Sequence, residues 1–296
     1  MPIFQKKMRS TPRISIVTPS FNQGKYLDDT IRSVLDQQYE GLEYIIIDAG
    51  SSDSSIEIIR HHEKRLAYWA SHPDAGHADG LNKGFAQTHA PIMGWINSSD
   101  IYYPWTLRTV VQIFKDLPEV RWISGIPTLI LDGTFPRQVR FDLRNRYDFL
   151  AGNYNWLQQE SIFWRRNLWE EVGGRLDTGL KYACDFELWL RFFQKAPLCY
   201  AETILAGFRI HENQRGLIAS ETYRAEAADA FSRFYLDHGQ IDRLKGLFIR
   251  LTNRRSGRLF REAIRMTGGL GWYSHPQVLF DFQVNRWVLR RNQAKI

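Results

Sequence analysis

Two cysteines stand in 296 residues, Cys184 and Cys199. They are too few for a disulfide framework and lack metal-binding spacing. No apolar run reaches the roughly 18 residues that a membrane-spanning helix needs. Nor does an N-terminal apolar segment end in a small-residue cleavage site. The chain is therefore expected in a reducing cytoplasm, where the glycosylation sequon Asn97-Ser98-Ser99 has no consequence. After the first strand-like run the sequence reads Pro19-Ser20-Phe21-Asn22-Gln23-Gly24-Lys25 rather than Gly-x-Gly-x-x-Gly. That argues against a dinucleotide-binding oxidoreductase of Rossmann type. Internal repeats and low-complexity segments are also missing.

What is present suffices for a full core. With 44% of residues hydrophobic and 24% charged, the chain reads as one large α/β domain or as a domain with an appendage. Aromatic residues are frequent, with 10 Trp, 13 Tyr and 18 Phe. Flat amphipathic rings suit sugar faces, but most are expected in the core. The net charge of +7 is unevenly spread: from Gln240 to Ile296 twelve Lys or Arg face three acidic residues, a net +9, which leaves −2 for the remainder. Leu244, Leu247, Phe248 and Leu251, and further on Leu259, Phe260 and Ile264, are spaced for helices with Arg on the other side. That pattern fits an interfacial helix on an anionic membrane surface. It fits equally a helix packed on the core with a solvated basic face. Nucleic acid is not an expected partner, because the tail's aromatics are few beside its arginines and no nucleic-acid module is recognisable.

The stretch Ser71 to Pro104 organises the rest. A polar loop, His72 to Asp79, leads into a short amphipathic helix, Leu81 to Thr88, and then into an apolar run, Pro91 to Ile96, short enough for a buried strand. The run stops at Asn97-Ser98-Ser99-Asp100. Upstream, the pattern predicts strands at Ile14–Thr18, Tyr44–Ile47 and Leu66–Ala70, with helices from Tyr26 to Gln38 and from Ile56 to His62, the second capped by Ser52 or Asp53. Strand and helix alternate at short spacing, so a mostly parallel sheet with helices on both faces is expected. Downstream, helices are expected at Thr106–Leu117, Asn167–Val172 and Cys184–Gln194, a strand at Arg121–Gly125 and a hairpin around Asp132-Gly133. Trp156–Trp164 reads as extended, Tyr200–Ile210 as a last strand, and the chain beyond Glu221 as helical. Residues 1–12 are a lead-in, 13–220 the main domain and 221–296 a basic helical extension.

Acidic residues mark the candidate chemistry: Asp48 and Asp100 end strands, and Asp185 heads an aromatic helix. One such residue alone reads equally as a helix cap, but strand ends of a parallel sheet converge on one edge. The segments IVTPSFNQGKYLDDTIRSVLDQQY, YIIIDAGSSDSS, PDAGHADGLNKGF, GWINSSD, QQESIFWRR and ACDFELWLRF, in this order, resemble bacterial glycosyltransferase family 2, the inverting GT-A enzymes. The likeness covers about residues 13 to 212, roughly two thirds of the chain.

The resemblance implies a Rossmann-like GT-A fold and transfer from a nucleotide-sugar donor, most simply a UDP-sugar, to a glycan or lipid-linked acceptor in cell-surface polysaccharide synthesis. It implies that Thr18, Pro19 and Asp48 hold the nucleoside, with the carboxylate accepting from a base N–H. Asp79 and Lys83 match the loop beside the ribose and diphosphate, although Lys83 also reads as a solvated helix charge. Asp100 matches the metal-binding end of an Asp-x-Asp-type motif, where Mn2+ or Mg2+ would neutralise the leaving diphosphate. The chain departs from the family at Ser99, which replaces the first Asp and removes one charge near the ribose and metal. Asp185 matches the general base, and Glu187 is expected to be structural. His211 falls where the family carries a histidine near the diphosphate or metal; its bland reading is structural. Gln158, Gln159 and Glu160 are expected on the acceptor side, and His61, His62, His72 and His77 have no metal role. The alternative is a binding protein of transferase fold that lost catalysis through Ser99.

Overall fold

A computed structural model describes residues 13–131, 135–138, 145–151, 157–211, 220–237, 239–252 and 274–293. The first half runs β1 (Ile14–Ser20), α1 (Gly24–Leu35), β2 (Leu42–Asp48), α2 (Ser55–His62), β3 (Tyr68–Ser71), α3 (His77–Phe85), β4 (Ile92–Trp95), β5 (Ile101–Tyr102) and α4 (Thr106–Asp116). Next come β6 (Trp122–Ile126), β7 (Thr128–Leu131), β8 (Phe135–Gln138), α5 (Arg146–Leu150), β9 (Ile162–Arg165), α6 (Arg166–Glu171) and α7 (Cys184–Lys195). The chain then forms β10 (Cys199–Ile204), β11 (Ala206–Arg209), α8 (Ser220–Asp237), α9 (Gln240–Thr252), β12 (Ser274–Asp281) and β13 (Arg286–Gln293).

Among the described residues, nine strands form the central sheet in the order β13-β12-β10-β6-β9-β4-β1-β2-β3. Its pairs are parallel except that β9 runs antiparallel between β4 and β6 and β13 antiparallel to β12. Both faces are covered, so the strands are apolar on both sides. Ile14, Ile16, Tyr44 and Ile46 pack with α1, α2 and α4. Val17, Ile45, Ile47, Met93 and Trp95 pack on the other face with α3 and α5–α9. Here Trp95, Trp122, Trp164 and Trp189 are fully buried, and Trp95 stacks on Trp189 at 5.3 Å. Contact between α3 and the sheet is close enough that a Cβ at Gly84 would run into Val17 Cγ1. The chain leaves β1 outward through β2 and β3, then returns to β1's other side at β4. The ends of β1 and β4 therefore flank the point where strand order reverses, where open α/β sheets leave a ligand crevice.

Several elements differ from the expectation. Helix α3 starts at His77, just after Gly76 at φ +117°, rather than at Leu81. Gln159–Ser161 form a single 3-10 turn inside the stretch read as extended, leaving Ile162–Arg165 as the strand. The last strand divides at Leu205, because its carbonyl leaves the ladder to accept from Tyr103 N (3.1 Å) and Thr106 Oγ1. As a result β11 joins a second, four-stranded sheet ordered β5-β11-β7-β8. The extension is helical in α8 and α9, but β12 and β13 are strands: Val278 pairs with Leu289 and Phe280 with Trp287, and β12 adds to β10. Period-two alternation there turns Val278, Trp287 and Leu289 to one side, with Val278 buried and the other two half-buried against the same core. The Asp132-Gly133 turn, the segment carrying Leu259, Phe260 and Ile264, Arg254, Arg255, Arg258, Arg261 and Arg265, and Lys295 lie outside the described residues.

Candidate active site

Thr18 and Pro19 end β1 and are buried, with Thr18 Oγ1 2.9 Å from Tyr44 Oη. In register beside them, Asp48 lies opposite Ser20 at the end of β2. Its carboxylate is fully buried and built into its own loop: Oδ2 accepts from Gly50 N (3.1 Å), Ser51 N (2.9 Å) and Ser71 Oγ (2.7 Å). Oδ1 accepts only from Ser51 Oγ (2.5 Å), which leaves it a further lone pair for one outside donor. Gly50 at φ +78° supplies the turn that brings these amides round.

The first turn of α3 stands next to this edge, since a Cβ at Gly80 would lie 3.8 Å from Pro19 Cβ. Asp79 Oδ2 accepts from Ala75 N (3.0 Å) and pairs with Lys83 Nζ (2.8 Å) one turn on. Those two bonds, the amide first, hold the Asp79 carboxyl below its ordinary range. Lys83 is exposed.

Beyond β4 the chain turns through Asn97–Asp100. Asp100 is buried; its Oδ1 accepts from Arg209 N (2.9 Å), while its Oδ2 has no hydrogen-bond partner. Burial raises the Asp100 carboxyl well above its usual range. Arg209, at the end of β11, also donates through Nε to the Ser99 carbonyl (2.9 Å) and through a terminal nitrogen to Asp29 Oδ2 of α1 (3.1 Å). Its guanidinium and the Lys25 ammonium both lie over Tyr26, 5.1 and 5.2 Å from the ring centre. His211 packs on the same ring, tilted by 37° with ring centres 4.7 Å apart. Burial, then Arg209 and Lys25, lower the His211 pKa, which favours the neutral imidazole that can bind a metal.

Gln158, Gln159 and Glu160 are buried on and just before the 3-10 turn that contacts β4, β6 and β11. Gln158 Nε2 donates to the Thr128 carbonyl (2.8 Å) and to Glu160 Oε1. Glu160 Oε2 and both amide atoms of Gln159 have no hydrogen-bond partner. Burial raises the Glu160 pKa first and the Asp100 charge second, with a smaller push from Asp185. Glu160 therefore lies within electrostatic reach of both, and the three acids share one neighbourhood. Asp185, in the first turn of α7, is partly accessible and accepts from Phe186 N (2.7 Å). Burial pushes its carboxyl up to about 6. Glu187 is engaged by Arg191 through two bonds of 2.8 Å.

The strand-end geometry thus gathers Ser99, Asp100, Glu160, Asp185 and His211 near one edge, with Thr18 and Pro19 on the next strand, β1, and Asp48 on β2 beyond it. Arg209 was missed by the sequence reading; its signal is a charged residue inside the apolar run AGFRI. Among the described residues no group of three or more His, Cys, Asp or Glu is arranged to hold a metal. The fit to a divalent cation rests instead on the orphaned Asp100 Oδ2, a hard donor of the kind Mn2+ or Mg2+ prefers, and on the neutral imidazole favoured at His211.

The sequence model for Glycosyl transferase family 2 matches residues 15–169. A Mycobacterium tuberculosis protein named as an uncharacterized glycosyltransferase is 33% identical over 202 residues, 67% of this chain and 74% of the relative. A Haemophilus influenzae protein of the same description is 23% identical over 252 residues, covering 79% of this chain and 78% of its own. Among solved structures, Staphylococcus aureus TarS residues 1–349 with UDP-GlcNAc superimposes at TM-score 0.66 and 14% identity, over 87% of this chain and 76% of that one. The Pyrobaculum calidifontis mannosyltransferase PcManGT, with GDP-Man and Mn2+, superimposes at TM-score 0.58 and 17% identity, over 88% and 77%. These structural likenesses are to the GT-A fold.

Proposed function

The chain belongs to glycosyl transferase family 2, and from that premise we propose that it moves a sugar, with inversion, from a nucleoside diphosphate sugar to an acceptor hydroxyl. The observation that carries the reading is that Glu160, on the turn packed against β4, β6 and β11, lies within electrostatic reach of both Asp100 at the end of β4 and Asp185 at the head of α7. Thr18, Pro19 and Asp48 take the nucleoside, with the spare Asp48 Oδ1 lone pair facing a base N–H. Asp79 and Lys83 stand by the ribose and diphosphate, and Ser99 lies beside them. Asp100 with His211 holds a divalent cation, which when bound supplies positive charge at the leaving diphosphate. Arg209 backs Asp100 and adds fixed positive charge. Asp185 takes the proton of the acceptor hydroxyl as its oxygen attacks the anomeric carbon. Gln158, Gln159 and Glu160 line the acceptor side.

TarS is described with UDP-GlcNAc and PcManGT with GDP-Man; for this chain the proposed donor is a UDP-sugar. The test is a screen of UDP-, GDP- and dTDP-sugars with Mn2+ and with chelator, reading binding and release of nucleoside diphosphate. One nucleotide class should bind and turn over in a cation-dependent way. Binding without turnover by every class would favour a catalytically weakened binding protein.

The proposed acceptor is a glycan or lipid-linked precursor of a cell-surface polysaccharide, reached at the inner face of a membrane. No helix among the described residues is long and apolar enough to cross a membrane. However, α9 turns Ile241 (70% exposed), Leu244 (64%), Leu247 and Leu251 outward, on a segment whose net charge is +9. The full chain should co-sediment with anionic vesicles at low salt and release as salt rises, since surface attraction is screened within about 8 Å at physiological salt. Full-length Leu244→Asp with Leu247→Asp, which leaves β12 and β13 in the sheet, should stay in the supernatant. If the wild-type chain also does so, the outward stripe is not a lipid-binding surface.

A further inference from the structure

Helix α8 and Asp185 both lie beyond the family-matched residues 15–169, and α8 holds the approach to Asp185. Glu226 of α8 accepts three successive backbone N–H groups. Lys181 N donates to Oε1 (3.0 Å), and Tyr182 N and Ala183 N donate to Oε2 (2.8 and 2.9 Å). Ala183 is the residue before α7, it offers no side-chain cap, and Asp185 is the second residue of the helix. Asp185 spends its own Oδ1 on Phe186 N. Amides entering a helix have no intrahelical carbonyl, so the start of α7 is fixed here from another helix. One turn earlier on α8, Tyr223 lies within electrostatic reach of Asp185 and Cys184. Ala227, Ala230 and Phe234 seat α8 in the core that α7 shares.

From this we infer that Glu226 is the positioning residue for the base: it clamps residues 181–183 and so sets where the Asp185 carboxylate meets the acceptor hydroxyl. The inference rests on the reading of Asp185 as that base. A carboxylate suits the task because both oxygens accept. In Gln one oxygen becomes an NH2 set against N–H donors. The extension is then a working part of the active site, and not only a candidate dock.

The test compares full-length Glu226→Gln, Glu226→Ala, Glu226→Asp and Asp185→Asn. It reads UDP release from UDP-sugars, UDP binding with Mn2+ by calorimetry, and amide hydrogen exchange. Small misplacements of a reacting group cost up to about 100-fold, so Gln and Ala should lower kcat roughly 10- to 100-fold with donor KM little changed. Exchange should quicken at 181–187 and not at β1 or β2. Asp, which keeps both acceptor oxygens, should recover part of the loss. Wild-type kcat in the Gln and Ala variants, with Asp185→Asn inactive, would overturn the positioning role alone. Equal loss of UDP binding with faster exchange throughout the fold would overturn it too, making Glu226 a general structural residue. Normal turnover by Asp185→Asn would remove the base reading and this inference with it.

Discussion

Asp185→Asn is expected to lose about 100- to 10,000-fold in turnover, the usual worth of a positioned general base, while UDP and donor binding stay near wild type. The substitution is nearly isosteric and keeps a side-chain oxygen for Phe186 N, so the fold should be undisturbed. A pH profile adds an independent check. Burial holds the Asp185 carboxyl at about 6, and a base acts only when ionised. Turnover should therefore rise as pH climbs through about 6 and level off above it; the acid limb should be absent from the residual activity of the Asn variant. A variant with wild-type turnover, or an unchanged acid limb, would take Asp185 out of the mechanism.

The parts of the molecule legible in the sequence are those whose signal is local. Strands β1, β2 and β4 are short apolar runs covered on both faces, and the polar residues that end them sit where strand order reverses. Asp48, Asp100 and Asp185 could be singled out because each interrupts an apolar element. The illegible parts depend on partners far along the chain. Arg209 reads as an ordinary strand-end charge until Asp29, Ser99 and Asp100 are brought against it. Leu205 ends a strand because Tyr103 and Thr106 capture its carbonyl. Glu226 looks like any solvated helix acid, and only the fold puts three N–H groups in front of it. The arginines spread along the tail hid the alternation of β12 and β13, so that segment read as helix.

The departure at Ser99 makes the cation site the sharpest quantitative test. Wild-type affinity for a nucleoside diphosphate should strengthen at least about 10-fold with Mn2+ over chelator, about 1.4 kcal/mol. Asp100→Ala should abolish that difference. Because Asp100 Oδ1 also accepts from Arg209 N, the Ala variant alone does not separate loss of the cation from a disturbed β11. Asp100→Asn keeps that acceptor, removes the charge, and should lose the cation effect equally. A buried carboxylate with an unpartnered Oδ2 and a raised pKa is costly to ionise by itself, and a divalent cation offsets that cost. The wild-type cation effect should therefore weaken as pH falls and Asp100 takes up a proton. Ser99 touches Arg209 only through its carbonyl, and its side chain is partly accessible. Ser99→Asp can therefore add a second carboxylate beside Asp100 without displacing that bond, and it should tighten Mn2+-dependent binding further. Equal affinity in metal and chelator for the wild type would remove Asp100 as a cation ligand. A silent Ser99→Asp would mean that Ser99 does not stand where the family's first acidic residue reaches the cation.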